Sequence, residues 1–264
     1  MKNITFDEFF ALVSENHPEL LCDTPYQQWH TDSDLCFLTG GCAVYWSVSN
    51  FQNGERSITC HVHELAADAD FQTVCRTFYD KIKTEMPDSN YFYLYHKGPL
   101  NEELDRFYGW RVFVRSPAPV SKDPRVTDLT RADADEIARL CDRGAYSDYP
   151  NLSGYEFEAD SFARWDFDFA DEAGAVLLGL RIDGVLAGVA SHSEQQPGNL
   201  GFLRELYVAP PFRRQGVGKA LVETAISRLP DRTWVYQAAR DNFQSIALAK
   251  SAGFTFYGAQ LILA

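Results

Sequence analysis

The chain has 264 residues, 45% of them apolar and 14% aromatic, a profile that excludes a disordered or low-complexity protein. Its net charge of −13 argues against nucleic acid or an anionic membrane as partner, because phosphate binding needs clustered Lys and Arg, and leaves room for a cationic substrate. No apolar run approaches the roughly 18 residues of a membrane span. The N-terminal residues 1–20 lack a signal-peptide pattern, so we expect a cytoplasmic protein.

A proline-rich segment divides the chain into two parts. Three prolines lie between Ser116 and Pro124, and such a density of proline among small residues is typical of an extended linker. Each part that it separates has the length of an ordinary domain. We therefore predict two domains, residues 1–122 and residues 123–264.

The first part alternates between predicted strands and helices. In chain order these are strands at 43–49 and 56–65, a helix at 71–86, a strand at 91–95, a helix at 101–107 and a strand at 110–115. The six cysteines form no CxxC pair, so we expect buried or free thiols. Cys60 alternates with His61 and His63 along one predicted strand and would face away from them, so we predict no metal site.

The second part has a similar order of elements. We predict strands at 125–129, 175–182, 185–191, 200–209, 233–238 and 254–263, and helices beginning at Thr130 and spanning 216–229 and 242–251, with a helical or irregular stretch at 154–169. Asp183-Gly184 is a strong hairpin signal between two of the strands. The shared order suggests an internal repeat, although unrelated α/β domains can also share it.

One segment of the second part has the chemistry of an anion site. A predicted strand runs into a turn with Gly216 and Gly218, then into a helix. Glycines let a ligand approach the backbone, and N–H groups at a helix start attract anions. Arg213, Arg214 and Lys219 add positive charge in an acidic protein. The pattern predicts a phosphate or pyrophosphate site, with an ordinary helix start as the alternative; it is neither a Walker nor a Rossmann motif.

Three motifs together resemble a known family. The sequence Arg213-x-x-Gly216-x-Gly218 is similar to the acyl-CoA motif of the GCN5-related N-acetyltransferase (GNAT) superfamily. The segment 242–254, led by an Asn and ending in Gly-Phe, looks like the second signature of that family, and residues 186–190 are similar to its central hairpin. The resemblance covers about residues 125–264.

The resemblance implies a fold, a co-substrate and a set of binding residues. The fold is α/β, with a mixed sheet of the GNAT type in the C-terminal half and a smaller, GNAT-like α/β domain before it. Strands 200–209 and 233–238 would separate, and acetyl-CoA would lie in the gap. The residues implied to contact it are Leu206, Tyr207, Val208, Arg213, Arg214, Gln215, Gly216, Val217, Gly218, Lys219, Asn242 and Ser245.

The catalytic pattern of the family is incomplete here. Its frequent general acid is a Tyr seven residues after the motif Asn, and this chain has Ala249 there; where some members carry a Glu, it has Gln237. Glu205 is the remaining candidate for a general base, although it could equally be a solvated or ion-paired carboxylate. Tyr207 and Tyr257 are candidates for the acid, with a core or rim aromatic as the alternative for each.

Two further segments bear on substrates. In the first part, the turn that would match the phosphate segment, residues 64–71, contains three acidic residues and no glycine, which would repel a pyrophosphate. That part is therefore predicted to be a degenerate copy without cofactor. Residues 148–172 hold eight acidic residues and Arg164 as their one base, interleaved with aromatics. They favour a cationic acceptor, or else form a solvated acidic face over buried aromatics.

These observations predict an N-acetyltransferase that transfers acetyl from acetyl-CoA to a primary amine by direct attack. The acceptor would be a small cationic or amino-acid-like molecule. Two alternatives stay open, namely acetylation of a protein N-terminus or lysine, and a non-catalytic, regulatory acyl-CoA-binding protein. An oligomer is possible, and the sequence does not identify the acceptor.

Overall fold

The chain forms two compact units. The computed structural model describes residues 1–21, 31, 34–50, 56–66, 69–85, 90–102, 104–141, 175–196 and 199–263. Unit 1 comprises Met1–Val112 together with Phe256–Ala264, and unit 2 comprises Phe113–Thr255. The chain thus leaves unit 1 about ten residues before the predicted domain boundary at residue 122, and its last strand belongs to unit 1. Among the described residues, no helix is long and apolar enough to cross a membrane.

The described residues form twelve strands and five helices. They are β1 (Lys2–Ile4), α1 (Phe6–Asn16), β2 (Leu35–Thr39), β3 (Cys42–Asn50), β4 (Arg56–Glu64), α2 (Phe71–Glu85), β5 (Asn90–Lys97), β6 (Tyr108–Arg115), β7 (Val126–Asp128), α3 (Ala134–Cys141), β8 (Ala175–Ile182), β9 (Val185–Gln196), β10 (Leu200–Val208), α4 (Val217–Arg228), β11 (Thr233–Ala239), α5 (Phe243–Ser251) and β12 (Thr255–Leu263). This mixed α/β architecture confirms the predicted fold class.

Most predicted elements match the structure within a few residues, with one clear error. The helix predicted at 101–107 is only a 3₁₀ turn at Leu104–Arg106. Asn101 accepts the Leu104 N–H at 2.8 Å, and β6 begins at Tyr108, so no room remains for a longer helix. The sequence patterns did not predict β1, α1 or β2, and the stretch predicted at 154–169 lies outside the described residues.

The two units share one pairing pattern. In unit 1, β1 pairs with β2, β2 with β3 and β3 with β4, all antiparallel, and β4 pairs with β5 in parallel. In unit 2, β7 pairs with β8, β8 with β9 and β9 with β10, all antiparallel, and β10 pairs with β11 in parallel. A helix, α2 or α4, connects each parallel pair. The two units thus have the same order of strand pairing, and the internal repeat stays a prediction.

Helix α4 determines where the candidate site of unit 2 lies. Its residues Val217, Leu221 and Ala225 are at most 1% exposed and pack in one core with Trp234. This spacing places them on one face of the helix. Thr224 on the same helix accepts the backbone N–H of Asp123 at 3.1 Å. The packing therefore holds the start of α4 at the end of β10.

Unit 1 contains a buried cluster of histidine and tyrosine side chains beneath α1. The His61 Nδ1 lies 3.0 Å from the Tyr95 hydroxyl, and the His63 ring stacks on Tyr95 with centroids 3.9 Å apart. Cys60 packs in the core on the opposite face of β4, as its alternation with the histidines predicts. Burial lowers the pKa of His61 to about 3 and also lowers the pKa of His63 and His17. These three imidazoles are therefore neutral near pH 7.

Unit 1 is expected to lose stability as the pH falls from 7 to 5. The unfolded chain binds protons on His61 and His63 below a pKa of about 6.5 and the folded chain does not. The free energy of unfolding therefore falls by roughly 1 kcal/mol per pH unit for each of these two residues. His96 opposes the trend, since its contact with Glu64 raises its pKa. Urea unfolding at several pH values measures the slope, and His61→Gln should reduce it. A midpoint independent of pH across this range would contradict the prediction.

A fragment of residues 123–264, which carries the last strand of unit 1 as well as most of unit 2, is expected to aggregate when it is expressed alone. Strand β12 pairs antiparallel with β5 of unit 1, and its Ala259 and Leu261 are fully buried in the core of that unit. Without unit 1 this strand would expose an unpaired edge and apolar side chains. Size-exclusion chromatography measures the outcome, with residues 123–255, which lack the strand, as the matched comparison. A soluble, monomeric 123–264 fragment would contradict the expectation.

Candidate functional site

The parallel strands β10 and β11 separate halfway along their length. Their register runs from Leu200 with Thr233 to Leu203 with Tyr236. Beyond that pair both strands continue, β10 to Val208 and β11 to Ala239, and no further pair joins them although both are fully described there. The predicted separation of the strands is therefore present. Beyond Leu203, the edge of β10 that faces β11 is therefore not paired with that strand.

A bulge in β10 coincides with the point of separation. In the antiparallel register with β9, Leu203 pairs with His192 and Leu206 pairs with Ala190, so β10 has one residue more than its partner. The Glu205 N–H donates to the Ser191 Oγ at 3.2 Å. Bulges re-aim side chains and end regular pairing, and this one lies where the gap opens.

The turn after β10 leads to a helix start without a side-chain cap. Arg214 and Gly216 both have left-handed backbone conformations, with φ of 64° and 81°. Gly216 occupies the N-cap position of α4, and no side chain caps the helix there. The first-turn N–H groups of α4, from Val217 to Lys219, have no acceptor within the helix. Together with the helix dipole they form a site for an anion.

The two glycines of the motif have different roles. A Cβ added to Gly216 would meet no atom within 4 Å, so this backbone faces open space. A Cβ added to Gly218 would lie 3.1 Å from Leu248 and 3.6 Å from Val208. Gly218 therefore permits close packing of α4 against α5 and β10. The interpretation that both glycines admit a ligand applies to Gly216, and packing accounts for Gly218.

The cations of the motif also differ in their surroundings. The Arg213 Nε donates to the Val208 carbonyl at 3.0 Å, and its guanidinium lies 6.0 Å from the Tyr207 ring. Arg213 thus closes the turn. Arg214 and Lys219 are exposed, and the Lys219 Nζ lies 3.7 Å from Glu223. Gln215 donates to the Pro211 carbonyl at 2.9 Å.

The start of α5 contributes a network of polar side chains. Asn242 caps this helix, and its Oδ1 accepts the Ser245 N–H at 3.0 Å. The Ser245 Oγ lies 2.7 Å from the hydroxyl of Tyr236, which is only 4% exposed. The oxygen of Asn242 is thus engaged within the protein. No sequence motif pointed to Tyr236 or to Ser191.

The predicted catalytic residues belong to both units. Glu205 is half-buried at the bulge, and Tyr207 packs partly against the core beside α3. Tyr257 belongs to unit 1, where burial, and after it a hydrogen bond to Glu19, raises its pKa. Ala249 is fully buried and has no group that could donate a proton. The acidic segment 148–172 lies outside the described residues, so the roles in catalysis stay predictions.

A family comparison identifies the second unit. Residues 135–254 match the protein-family model described as Acetyltransferase (GNAT) family. They form a GNAT acetyltransferase domain. The match includes the opened strand pair, the turn with Gly216 and the cap of α5, and it confirms the resemblance seen in the sequence. Acetyl-CoA is the acyl donor of GNAT proteins, so the predicted co-substrate is confirmed at the level of the family.

Several solved structures are similar to this chain at low sequence identity. A Drosophila protein is 15% identical, with 100% of this chain and 98% of that chain covered and a TM-score of 0.50. A GCN5-related N-acetyltransferase from Sphaerobacter thermophilus is 12% identical over 95% of this chain and 90% of its own, with a TM-score of 0.48. A Salmonella typhimurium protein whose structure holds acetyl-CoA is 19% identical over 52% and 91%, with a TM-score of 0.41. No curated protein matches the chain.

Proposed function

We propose that unit 2 binds acetyl-CoA and transfers its acetyl group to a primary amine of a small cationic or amino-acid-like acceptor. One observation carries the proposal. The strand that opens away from β11 is the strand that leads into the uncapped helix start. A gap between two strands and an anion site thus follow one another along the chain, an arrangement that suits an elongated ligand with a pyrophosphate.

The binding residues divide by chemistry. The end of β10, Leu206–Val208, lies beyond the last pair with β11 and would align with the pantetheine arm. The N–H groups of Arg214–Lys219 would hold the pyrophosphate, with Arg214 and Lys219 adding charge. Asn242 would turn its amide N–H groups toward the arm. Ser245 would contribute indirectly, through its contacts with Asn242 and Tyr236.

The proposed reaction is direct attack on the thioester that acetyl-CoA supplies. As the amine nitrogen bonds to the carbonyl carbon, the carbon–sulfur bond breaks and the sulfur leaves as a thiolate. Glu205 would accept the proton that the amine loses, directly or through one water molecule. Tyr207, the candidate acid within unit 2, would protonate the thiolate, since Ala249 lacks a titratable group.

Unit 1 is proposed to act as a scaffold that binds no cofactor. Its parallel strands β4 and β5 stay paired to His63 with Tyr95, one residue before β4 ends. Just beyond that pair, the Glu64 carboxylate lies 2.6 Å from the His96 Nδ1. Within the described residues, unit 1 therefore keeps this strand pair closed where unit 2 opens the corresponding one.

Two measurements on the full chain test the proposal. Calorimetry with acetyl-CoA tests binding, and release of free thiol in the presence of a panel of amines tests transfer. Thiol release with small amines but not with peptides supports the proposal, whereas release with peptides alone would indicate a protein acetyltransferase. Binding without release from any amine would favour a non-catalytic acyl-CoA-binding protein, the alternative that Ala249 and Gln237 motivate.

A further inference from the structure

A buried side chain of the neighbouring strand β9 contacts the bulge in β10. Ser191 lies on β9 between Ala190 and His192, the residues paired with Leu206 and Leu203. It is therefore the residue opposite the bulge and is fully buried. Its Oγ accepts the backbone N–H of Glu205 at 3.2 Å.

This hydrogen bond has a clear physical role. An extra residue in a strand disrupts the regular ladder, so an N–H at the bulge needs another acceptor. A buried N–H without an acceptor is costly, and nearly all such groups in folded proteins are paired. The Ser191 hydroxyl provides this acceptor, whereas an apolar side chain at position 191 could not accept a hydrogen bond. It thereby fixes the peptide group at the residue that we propose as the base.

We propose that Ser191 is a positioning residue, which holds the Glu205 peptide so that the Glu205 carboxylate faces the attacking amine. The inference rests on the proposed function. Ser191 takes part in no bond change, because the amine proton passes to Glu205 and the sulfur leaves as a thiolate. Its effect comes through orientation, to which acid–base catalysis is sensitive: a misplacement of about 1 Å can lower a rate about 100-fold.

A double-mutant cycle tests this role. Ser191→Ala is expected to lower kcat by about 10- to 100-fold while the KM for acetyl-CoA changes little, because the helix start at Gly216 is untouched. Ser191→Ala combined with Glu205→Gln should be no slower than Glu205→Gln alone, since both changes disable one group. Ser191→Thr, which keeps the hydroxyl, should restore the rate. Ser193→Ala is the matched control, because Ser193 is equally buried on the same face of β9.

The positioning role would be overturned if the fold-losses in kcat of the two single variants multiplied in the double variant. It would also be overturned if kcat fell no more in Ser191→Ala than in Ser193→Ala. Exchange of the Glu205 amide proton, followed by NMR, measures the contact without any activity. We expect faster exchange at Glu205 in Ser191→Ala than in Ser193→Ala, and unchanged exchange would overturn the contact itself. A wild-type protein that transfers acetyl to no amine would instead overturn the proposed function, whatever the exchange rates show.

Discussion

Gly216→Glu is expected to abolish binding of acetyl-CoA. The glycine has a φ of 81° and caps α4, and the position of its missing Cβ is open space. A glutamate there would place a side chain and a negative charge beside the first-turn N–H groups that are proposed to hold the pyrophosphate. Calorimetric titration with acetyl-CoA measures the loss, and unchanged affinity would show that the site lies elsewhere.

Two controls separate the causes of this loss. Gly184→Glu introduces the same side chain at a glycine with a φ of 80° and equally open surroundings, in the β8–β9 hairpin. It carries the same backbone strain and should leave acetyl-CoA affinity unchanged. Gly216→Gln has the bulk of glutamate without its charge, so its affinity relative to Gly216→Glu measures the contribution of repulsion. Equal losses in Gly184→Glu and Gly216→Glu would mean that strain, and not the site, is responsible.

Glu205→Gln is expected to lower kcat by about 10²–10⁴-fold, the usual contribution of general acid–base catalysis. The amide keeps the size of the side chain and cannot accept the amine proton. Affinity for acetyl-CoA should stay close to that of the wild type, because the anion site is formed by other residues. Steady-state kinetics over a range of pH measure the effect, and the limb of the profile that reports the base should disappear.

A matched variant keeps this test specific. Glu223→Gln also removes a partly buried carboxylate from unit 2, and its partner is Lys219 on α4. It should retain most of the activity. A pH–rate profile that is the same in Glu205→Gln and in the wild type would remove Glu205 from the mechanism. In that case a water molecule or another group of the acceptor site would take the proton.

Features that depend on neighbouring residues can be predicted from the sequence alone. Strands β8 and β9 follow from apolar runs around Asp183-Gly184, and both turn residues have the positive φ that such a hairpin requires. The start of α4 follows from Gly216, because only glycine adopts a left-handed cap without cost. The cap of α5 by Asn242 is equally local. The family motif is made of these local elements, which is why it could be read from one sequence.

Features that depend on pairing between distant residues cannot be predicted from local sequence patterns and are seen in the fold. Strand β12 was predicted correctly as a strand, yet its membership of unit 1 comes from backbone pairing with β5, more than 150 residues earlier in the chain. The same holds for the bulge opposite Ser191, since a register shift leaves no mark on either strand alone. Likewise, the sequences of β4 and β5 do not predict that these strands stay paired while β10 and β11 separate. Local patterns specify which segments are strands, whereas long-range hydrogen bonding and packing specify which edges meet and which stay open.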